Sequence, residues 1–418
     1  MNILVLGSGG REHALAWKLK KHQHQVFLHP GNDGTLQENI PNFGEATTIE
    51  EISLQAQKRN ISLVVIGPEA LLAQDFATHL RLDGFLVVGP GKEGAQLETS
   101  KVFAKQFMAK ASLPTAPFKI YSNLNEFNQG IKQGHYPKVL KLDGLAAGKG
   151  VVIAQDLSQA LNFGESVWKK NLFGASSHKI LEESFISGVE LSYLGFCDGK
   201  HFVPLSSSTD FKRVFDGNNG PNTGGMGAIS PSPYFNSELE KKISDQVLTP
   251  LLHTMRKEKL DFRGILYIGI MIDSDQNPYV LEFNTRFGDP ETQVLMLRIE
   301  EDLAPILIAT ARAELDLAAP LKWSSQTGIY VVGAAPGYPE KPALGSPISG
   351  LTPTDPNTQI FFSGVKKKNV HLLTAGGRVL GVGALGKDVH MARQRAYQRL
   401  EQISWDGMHY RKDIGLTL

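Results

Sequence analysis

Glu282, Asn284 and Arg286, at alternate positions, carry the clearest chemical signal in the sequence. They lie in Leu281-Glu282-Phe283-Asn284-Thr285-Arg286-Phe287, an apolar-rich run that reads as a strand ending at the turn Gly288-Asp289-Pro290. Alternation puts a carboxylate, an amide oxygen and a guanidinium on one face along about 13 Å, and Leu281, Phe283 and Thr285 on the core side. Hard oxygen donors suit Mg²⁺, which takes one or two protein ligands and fills its shell with substrate phosphates and water. A guanidinium one step on can fork onto a phosphate or carboxylate. The plain alternative is a solvated polar face with an incidental ion pair.

Two glycine-rich loops add phosphate chemistry. Residues 3–6 read as a buried strand, and Gly7-Ser8-Gly9-Gly10-Arg11-Glu12-His13 leads from it into a helical pattern. Glu12 stands where a dinucleotide fingerprint needs its third glycine, which argues against a nicotinamide-dependent oxidoreductase. Free backbone N–H groups at a helix start, with Arg11 beside them, suit one phosphate monoester at Gly9 and Gly10. Gly67-Pro68-Glu69 ends another strand, so Glu69 can face the same crevice.

The second loop, Asp143-Gly144-Leu145-Ala146-Ala147-Gly148-Lys149-Gly150, lies between strand-like residues 138–142 and 151–153. It is no P-loop: the glycine spacing and trailing Ser/Thr are missing, and a strand follows in place of a helix. Strand, glycine loop and strand can fold as a flap over nucleotide phosphates, with Lys141 and Lys149 as point charges; a flexible hairpin is the alternative. On the strand leaving this region Glu182 or Glu183 could accept from an adenine amino group, and Glu190 could hold ribose hydroxyls. Lys101 and Lys105 lie four apart on a helix capped by Ser100 and read as a solvated basic face.

These residues need a frame, and 418 residues supply about three domains' worth. Strands alternating with helices over residues 1–100 predict an open parallel α/β domain, which binds ligands at the carboxyl ends of its strands. Residues 121–189 read as a small inserted lid, 101–120 plus 190–325 as the central domain carrying the chemistry, and 326–418 as a β-rich C-terminal domain that closes the pocket. Residues 265–273 and 278–286 pair as a hairpin, and 217–227 form a glycine-rich binding loop.

Lys plus Arg number 43 and Asp plus Glu 42, so bulk charge points neither to nucleic acid nor to a membrane surface. The single cysteine, Cys197, excludes an internal disulfide, fits a reducing cytosol and reads as a small buried hydrophobe. No apolar run approaches the roughly 20 residues of a membrane span, and no export signal precedes the first strand. The expectation is a cytoplasmic monomer acting on small molecules.

The blocks GSGGREHALAW, IGPEALL, LKLDGLAAGKGVVIA, DFKRVFDGNNGPNTGGMGAISP, LEFNTRFGDPETQ and RKDIG span almost the whole chain. In that order they resemble the ATP-grasp superfamily and, within it, the glycinamide ribonucleotide synthetases. The resemblance implies an ATP-grasp fold and an ATP-dependent ligase that joins glycine to 5-phosphoribosylamine through a glycyl phosphate, giving phosphoribosylglycinamide in de novo purine synthesis. It implies Mg²⁺ or Mn²⁺ on Glu282 and Asn284. ATP contacts fall on Lys101 or Lys105, Lys141, the loop from Gly144 through Gly148 and Lys149 to Gly150, Glu182 or Glu183, and Glu190. Lys141, Lys212 and Arg286 would serve catalysis. Gly9, Gly10, Arg11 and Glu12, with Pro68 and Glu69, would receive phosphoribosylamine. Asp210 or Asp289, beside Gly288, could bind glycine's ammonium, and Lys212, Arg213 or Arg286 could hold carboxylate or phosphate. Thr209 and Thr285 depart from the family's Gln and Cys. Other ATP-grasp carboxylases would share the flap and the metal strand.

Overall fold

Near-unbroken apolar runs build the first sheet. The computed structural model describes residues 1–145, 150–170, 179–352 and 355–416. Strands β1 (Asn2–Gly7), β2 (Gln25–Pro30), β3 (Ile61–Ile66) and β4 (Leu86–Val88) form an all-parallel sheet in the order β2-β1-β3-β4. Ile3, Leu4, Val5 and Leu6 are fully buried, each stabilising the fold by about 1.5–3 kcal/mol. Strand order reverses between β1 and β3, the place where such sheets open a crevice. Helix α1 (Gly10–Lys21) leaves that crevice.

The region expected to form a lid is a four-stranded antiparallel sheet of β5 (Phe118–Tyr121), β6 (Lys138–Leu142), β7 (Val151–Ala154) and β8 (Ile180–Ser184), ordered β5-β8-β6-β7. Its sheet begins at Phe118, ahead of the expected boundary at 121, because β5 pairs with β8. Its apolar cluster, including Phe127, Leu140, Phe163 and Ile180, draws only on residues of this region. The central sheet is β9 (Val189–Cys197), β10 (Phe202–Pro204) and two long strands described below, all antiparallel. Cys197 is fully buried in it, and burial pushes its thiol up to about 12, as suits an inert apolar side chain.

Beyond it, β11 (Thr209–Asp210), β12 (Arg213–Phe215), β13 (Asn219–Asn222) and β14 (Gly227–Ser230) carry the glycine-rich loop. β12 and β13 pair as a hairpin. The predicted central hairpin is present as β15 (Gly264–Ile272) and β16 (Pro278–Asn284). The C-terminal strands β17 (Thr327–Ala334), β18 (Thr358–Phe362), β19 (Val365–Lys368), β20 (His371–Thr374) and β21 (Arg378–Gly386) follow, then helix Val389–Leu400. β11 and β14 join three of them in one sheet, β11-β14-β17-β21-β18, so the glycine-rich loop springs from the C-terminal sheet.

One apolar cluster holds Ile3 and Val5 of β1, Leu194 and Phe196 of β9, Phe287, Val294, and Tyr330 and Phe361 of the C-terminal sheet. The first, central and C-terminal parts are thus packed together, while the lid has a core of its own. Among the described residues no helix is long and apolar enough to cross a membrane.

Candidate active site

The carboxylate strand departs from simple alternation at one position. Glu282 pairs with Gly269 and Val280 with Ile270, which leaves Leu281 as an extra, bulged residue. Both Val280 and Phe283 therefore reach the core, whereas Leu281, expected there, is only half-buried. The bulge turns the Leu281 carbonyl toward the lid, where it accepts from Lys141 Nζ at 3.2 Å. A Cβ on Gly269 would stand 3.2 Å from Glu282 Cγ, so the glycine opposite leaves the carboxylate its room.

Among the described residues no side chain or backbone group makes a hydrogen bond or ion pair with the Glu282 carboxylate. Burial pushes its carboxyl up, but Lys212, Lys141, Lys101 and Arg286 together outweigh burial and hold it below the usual range. Asn284 Oδ1 accepts from Arg286 Nη2 at 3.3 Å and, among the described residues, from no other donor. An ionised carboxylate and an amide oxygen, two residues apart and little engaged by protein donors, fit a divalent cation.

Arg286 is held more tightly than a free fork would be. Nη2 lies 3.0 Å from Glu98 Oε1, Nη1 donates to the Phe287 carbonyl at 3.2 Å, and Nε stands 3.5 Å from Glu69 Oε2. Glu98, on the helix Lys92–Thr99, also accepts from Thr285 N at 2.8 Å and Thr285 Oγ1 at 3.2 Å. The departure at Thr285 thus sits in the frame that aims Arg286.

Alternation along β8 separates the two glutamates. Glu182 faces the lid core, accepting from Tyr121 Oη at 2.6 Å and pairing with Lys138 at 2.8 Å. Glu183 faces the other way, 2.9 Å from Lys141 and 3.3 Å from Lys105. Of the two, Glu183 is the one that stands with Lys141 and Lys105. The lysines at 101 and 105 are no solvated face: Lys105 is 1% exposed, and Lys101 Nζ donates to the Gly144 carbonyl at 2.7 Å. Burial, partly offset by Glu183, brings the Lys105 ammonium down to about 8. Asp143 accepts from Val102 N and Ser100 Oγ at 3.1 and 3.0 Å, tying the loop's start to the helix Lys101–Lys110. Gly150 bonds through its carbonyl to Leu142 N at 2.7 Å, while Gly148 and Lys149 lie outside the described residues.

The N-terminal loop corrects an expectation. Its amides are not all free, because Glu12 turns back and accepts from Gly9 N at 2.8 Å and Arg11 Nε at 2.6 Å. Glu12 fills the β1/β3 crevice, and a Cβ on Gly7 or Gly67 would run into it. Arg11 is 7% exposed and donates to the Phe287 carbonyl at 3.1 Å, joining this loop to the segment that follows Glu282 and Asn284. The Gly9 loop still borders the site: a Cβ there would lie 3.7 Å from Asp289 and 3.8 Å from Ser363. Pro68 caps the short helix Glu69–Ala73, which brings Glu69 to Arg286.

The two aspartates differ. Asp289 is 2.9 Å from Arg378 Nη2 and accepts from Gln293 Nε2 at 2.7 Å; burial raises its pKa, but Arg378 and Arg11 outweigh burial and hold it low. Asp210 has a buried Oδ1 without a partner, and burial together with nearby Glu291 raises its carboxyl well above the usual range. Glu291 accepts from Ser192 Oγ at 3.0 Å, and Ser192 shares a 2.8 Å hydrogen bond with Tyr267. Gly288 leaves room for Glu291, whose Oε2 would be 2.5 Å from a Cβ at that position. Lys212 Nζ lies 2.5 Å from Glu190, and Arg213 Nη1 donates to the Gly220 carbonyl at 2.7 Å.

Comparison with known proteins accounts for this arrangement. Family models of phosphoribosylglycinamide synthetase match as its N domain over residues 1–98, its ATP-grasp (A) domain over 99–292 and its C domain over 328–417. The chain belongs to the phosphoribosylglycinamide synthetase family. Phosphoribosylamine–glycine ligase of Clostridium acetobutylicum is 42% identical over 99% of both chains, and that of Pasteurella multocida 41% identical over 99% of this chain and 97% of its own. The crystal structure of phosphoribosylamine–glycine ligase from Thermotoga maritima superposes with a TM-score of 0.88 at 35% identity, covering 99% of this chain and all of that one. Biotin carboxylase from Campylobacter jejuni shares the fold alone, with a TM-score of 0.75 at 14% identity over all of this chain and 94% of its own.

As a phosphoribosylglycinamide synthetase, the chain draws its site from more of its length than the motifs alone indicated. Glu98, Ser192, Tyr267, Glu291 and Arg378 were not among the predicted residues. Glu291 lies near the end of the LEFNTRFGDPETQ block, where a carboxylate after a Gly-Asp-Pro turn was the available signal. Arg378 begins a C-terminal strand and reaches the site only through tertiary packing.

Proposed function

We propose that the protein is an ATP-dependent ligase that joins glycine to 5-phosphoribosylamine, releasing ADP and phosphate and giving phosphoribosylglycinamide for purine synthesis. Two facts support this reading. Family membership covers nearly the whole chain. A strand carboxylate without a protein partner stands among Lys101, Lys141, Lys212 and Arg286, and that second observation carries the reading of the site.

Glycine's carboxylate is a poor electrophile, because it is anionic and has no leaving group. One of its oxygens attacks the γ-phosphorus of ATP, ADP departs, and the acyl phosphate formed is open to the phosphoribosylamine nitrogen. That attack expels phosphate and leaves the amide. Such transfer rests on positioning and on neutralising phosphate oxygens. Glu282 and Asn284 would hold Mg²⁺ or Mn²⁺, which supplies charge neutralisation at the phosphates. Lys141 and Lys105 then exchange their shared partner Glu183 for phosphate oxygens, with Lys101 beside them. Between the two aspartates, Asp210 binds glycine's ammonium, because Asp289 is already paired with Arg378, whereas among the described residues neither Asp210 nor Glu291 makes an ion pair and Lys212 and Arg378 only partly offset burial at Asp210. Phosphoribosylamine enters between the Gly9-Gly10 loop and the Gly288-Asp289 turn.

The test is ADP release by purified protein, with glycine and phosphoribosylamine each left out in turn. Release requiring both is the expected result; release with bicarbonate in place of either would assign the chain to carboxylation instead.

A further inference from the structure

The RKDIG block near the C-terminus has no place in the chemistry above, yet its arginine is 1% exposed. Arg411 forms a two-pronged pair with Asp413, Nε to Oδ1 at 2.7 Å and Nη2 to Oδ2 at 2.6 Å. Its remaining nitrogen, Nη1, donates to the Arg213 carbonyl at 3.1 Å and to Asn218 Oδ1 at 2.9 Å. The guanidinium lies over the Phe211 ring, 5.1 Å from its centre. Asp413 Oδ2 accepts from Gly217 N at 2.8 Å, Lys412 N donates to Asp216 Oδ1 at 2.7 Å, and His409 Nε2 meets the Val214 carbonyl at 2.8 Å.

These contacts run along β12 and into the turn that follows, from Arg213 to Asn218. Lys212 lies between the two residues Arg411 touches first, Phe211 and Arg213. The Lys212 carbonyl accepts from Thr223 N and Oγ1, both at 2.8 Å, which closes the loop's base, while its ammonium meets Glu190. Outside the clamp the hairpin is exposed; residues 215–222 have no buried member, and Phe215 is 52% exposed. A loop with so little apolar anchorage takes its position from whatever grips its backbone.

We infer that Arg411 and Asp413 form a positioning pair for the ligase reaction, fixing the Arg213–Asn222 hairpin so that Lys212 stands between Glu190 and Glu282. The pair touches no substrate. It acts through the backbone carbonyl of Arg213 and the amide of Gly217, so a guanidinium is required: a lysine cannot bridge Asp413, Arg213 and Asn218 at once. The inference rests on the ligase reading, and wild-type ADP release dependent on both amines is checked first, so failure of that reading is seen separately.

The experiment compares Arg411→Lys and Asp413→Asn with wild type in steady-state ADP formation, thermal melting and chymotryptic cleavage after Phe215. Misplacing a reacting group by about 1 Å can lower rates by about a hundredfold. The expected result is a kcat lowered at least tenfold, a KM for ATP within about twofold, and faster cleavage after Phe215 in the folded state. Asp413→Asn keeps the shape of the acceptor and serves if Arg411→Lys melts below the assay temperature. Faster cleavage with unchanged kcat would overturn the inference, as would a loss of kcat that merely follows loss of folded protein.

Discussion

Glu98 Oε1 lies 3.0 Å from Arg286 Nη2, joining the helix Lys92–Thr99 to the end of the strand that carries Glu282 and Asn284. The same carboxylate receives the amide and hydroxyl of Thr285. Burial pushes Glu98 up and Arg286 only partly offsets it. Its negative charge is held in place by three donors, and it in turn keeps Arg286 from swinging out. Glu98→Gln removes the nearer of Arg286's two carboxylate partners and leaves it only Glu69, at 3.5 Å. Removing one partner of a buried pair costs about 3–5 kcal/mol, and partial exposure of Arg286 places this pair at or below the low end. Melting and ADP formation together check it, with both expected to fall.

Glu282→Gln keeps the shape of the side chain and removes the charge that four cations face. ADP formation is expected to fall by at least about a thousandfold, consistent with an electrostatic contribution near 4 kcal/mol. The circular dichroism spectrum should be unchanged. Full activity in this variant, at any Mg²⁺ or Mn²⁺ concentration, would refute the metal assignment.

Asp210→Asn should separate stability from function. The raised carboxyl pKa means that the folded state binds a proton more readily than the unfolded chain between the ordinary aspartate range and the folded value. Stability contributed by this group is therefore present at low pH and declines as pH rises through that window. The amide removes the unpartnered buried charge, so the ligand-free protein should melt higher at neutral pH, by an amount corresponding to about 1–3 kcal/mol. The KM for glycine should rise at least tenfold. Asp289→Asn, which strands Arg378, should instead lower the melting temperature.

Lys105 titrates near 8, below its unperturbed value, because burial opposes its charge. Nucleotide binding that uses the ammonium should weaken as pH rises through about 8. Lys105→Arg, charged throughout, should lose that alkaline limb, measured as the Kd for ATP and not as turnover, since the substrate amines titrate in the same range. The sign for folding is opposite: the lysine costs stability below about 8, and the loss is relieved between about 8 and 10.5.

How much of this was legible depends on how local each feature is. Glu282 and Asn284 follow from period-two alternation, and the strand, the hairpin and the parallel N-terminal sheet follow from apolar runs and turn residues. The bulge at Leu281 does not, because it is a property of pairing with Gly269 and Ile270 and leaves no mark in one strand's own sequence. That Glu12 turns back onto Gly9 and Arg11 was not legible, because the space it fills is created by two glycines 60 residues apart, Gly7 and Gly67. Choosing between Glu182 and Glu183 needed the strand's facing, and Glu98 and Arg378 reach the site from elements distant in sequence. Short-range rules found the groups that would touch phosphate; the groups that aim them come from packing.

The lid's private core carries a consequence for movement. Along its border with the body the lid is held by Lys141, Lys105, Lys101 and Asp143, through bonds that water can replace one for one. Separating the two would expose little oily surface, so what joins them is charge and hydrogen bonding, and salt or a competing anion should loosen that border before it loosens either core.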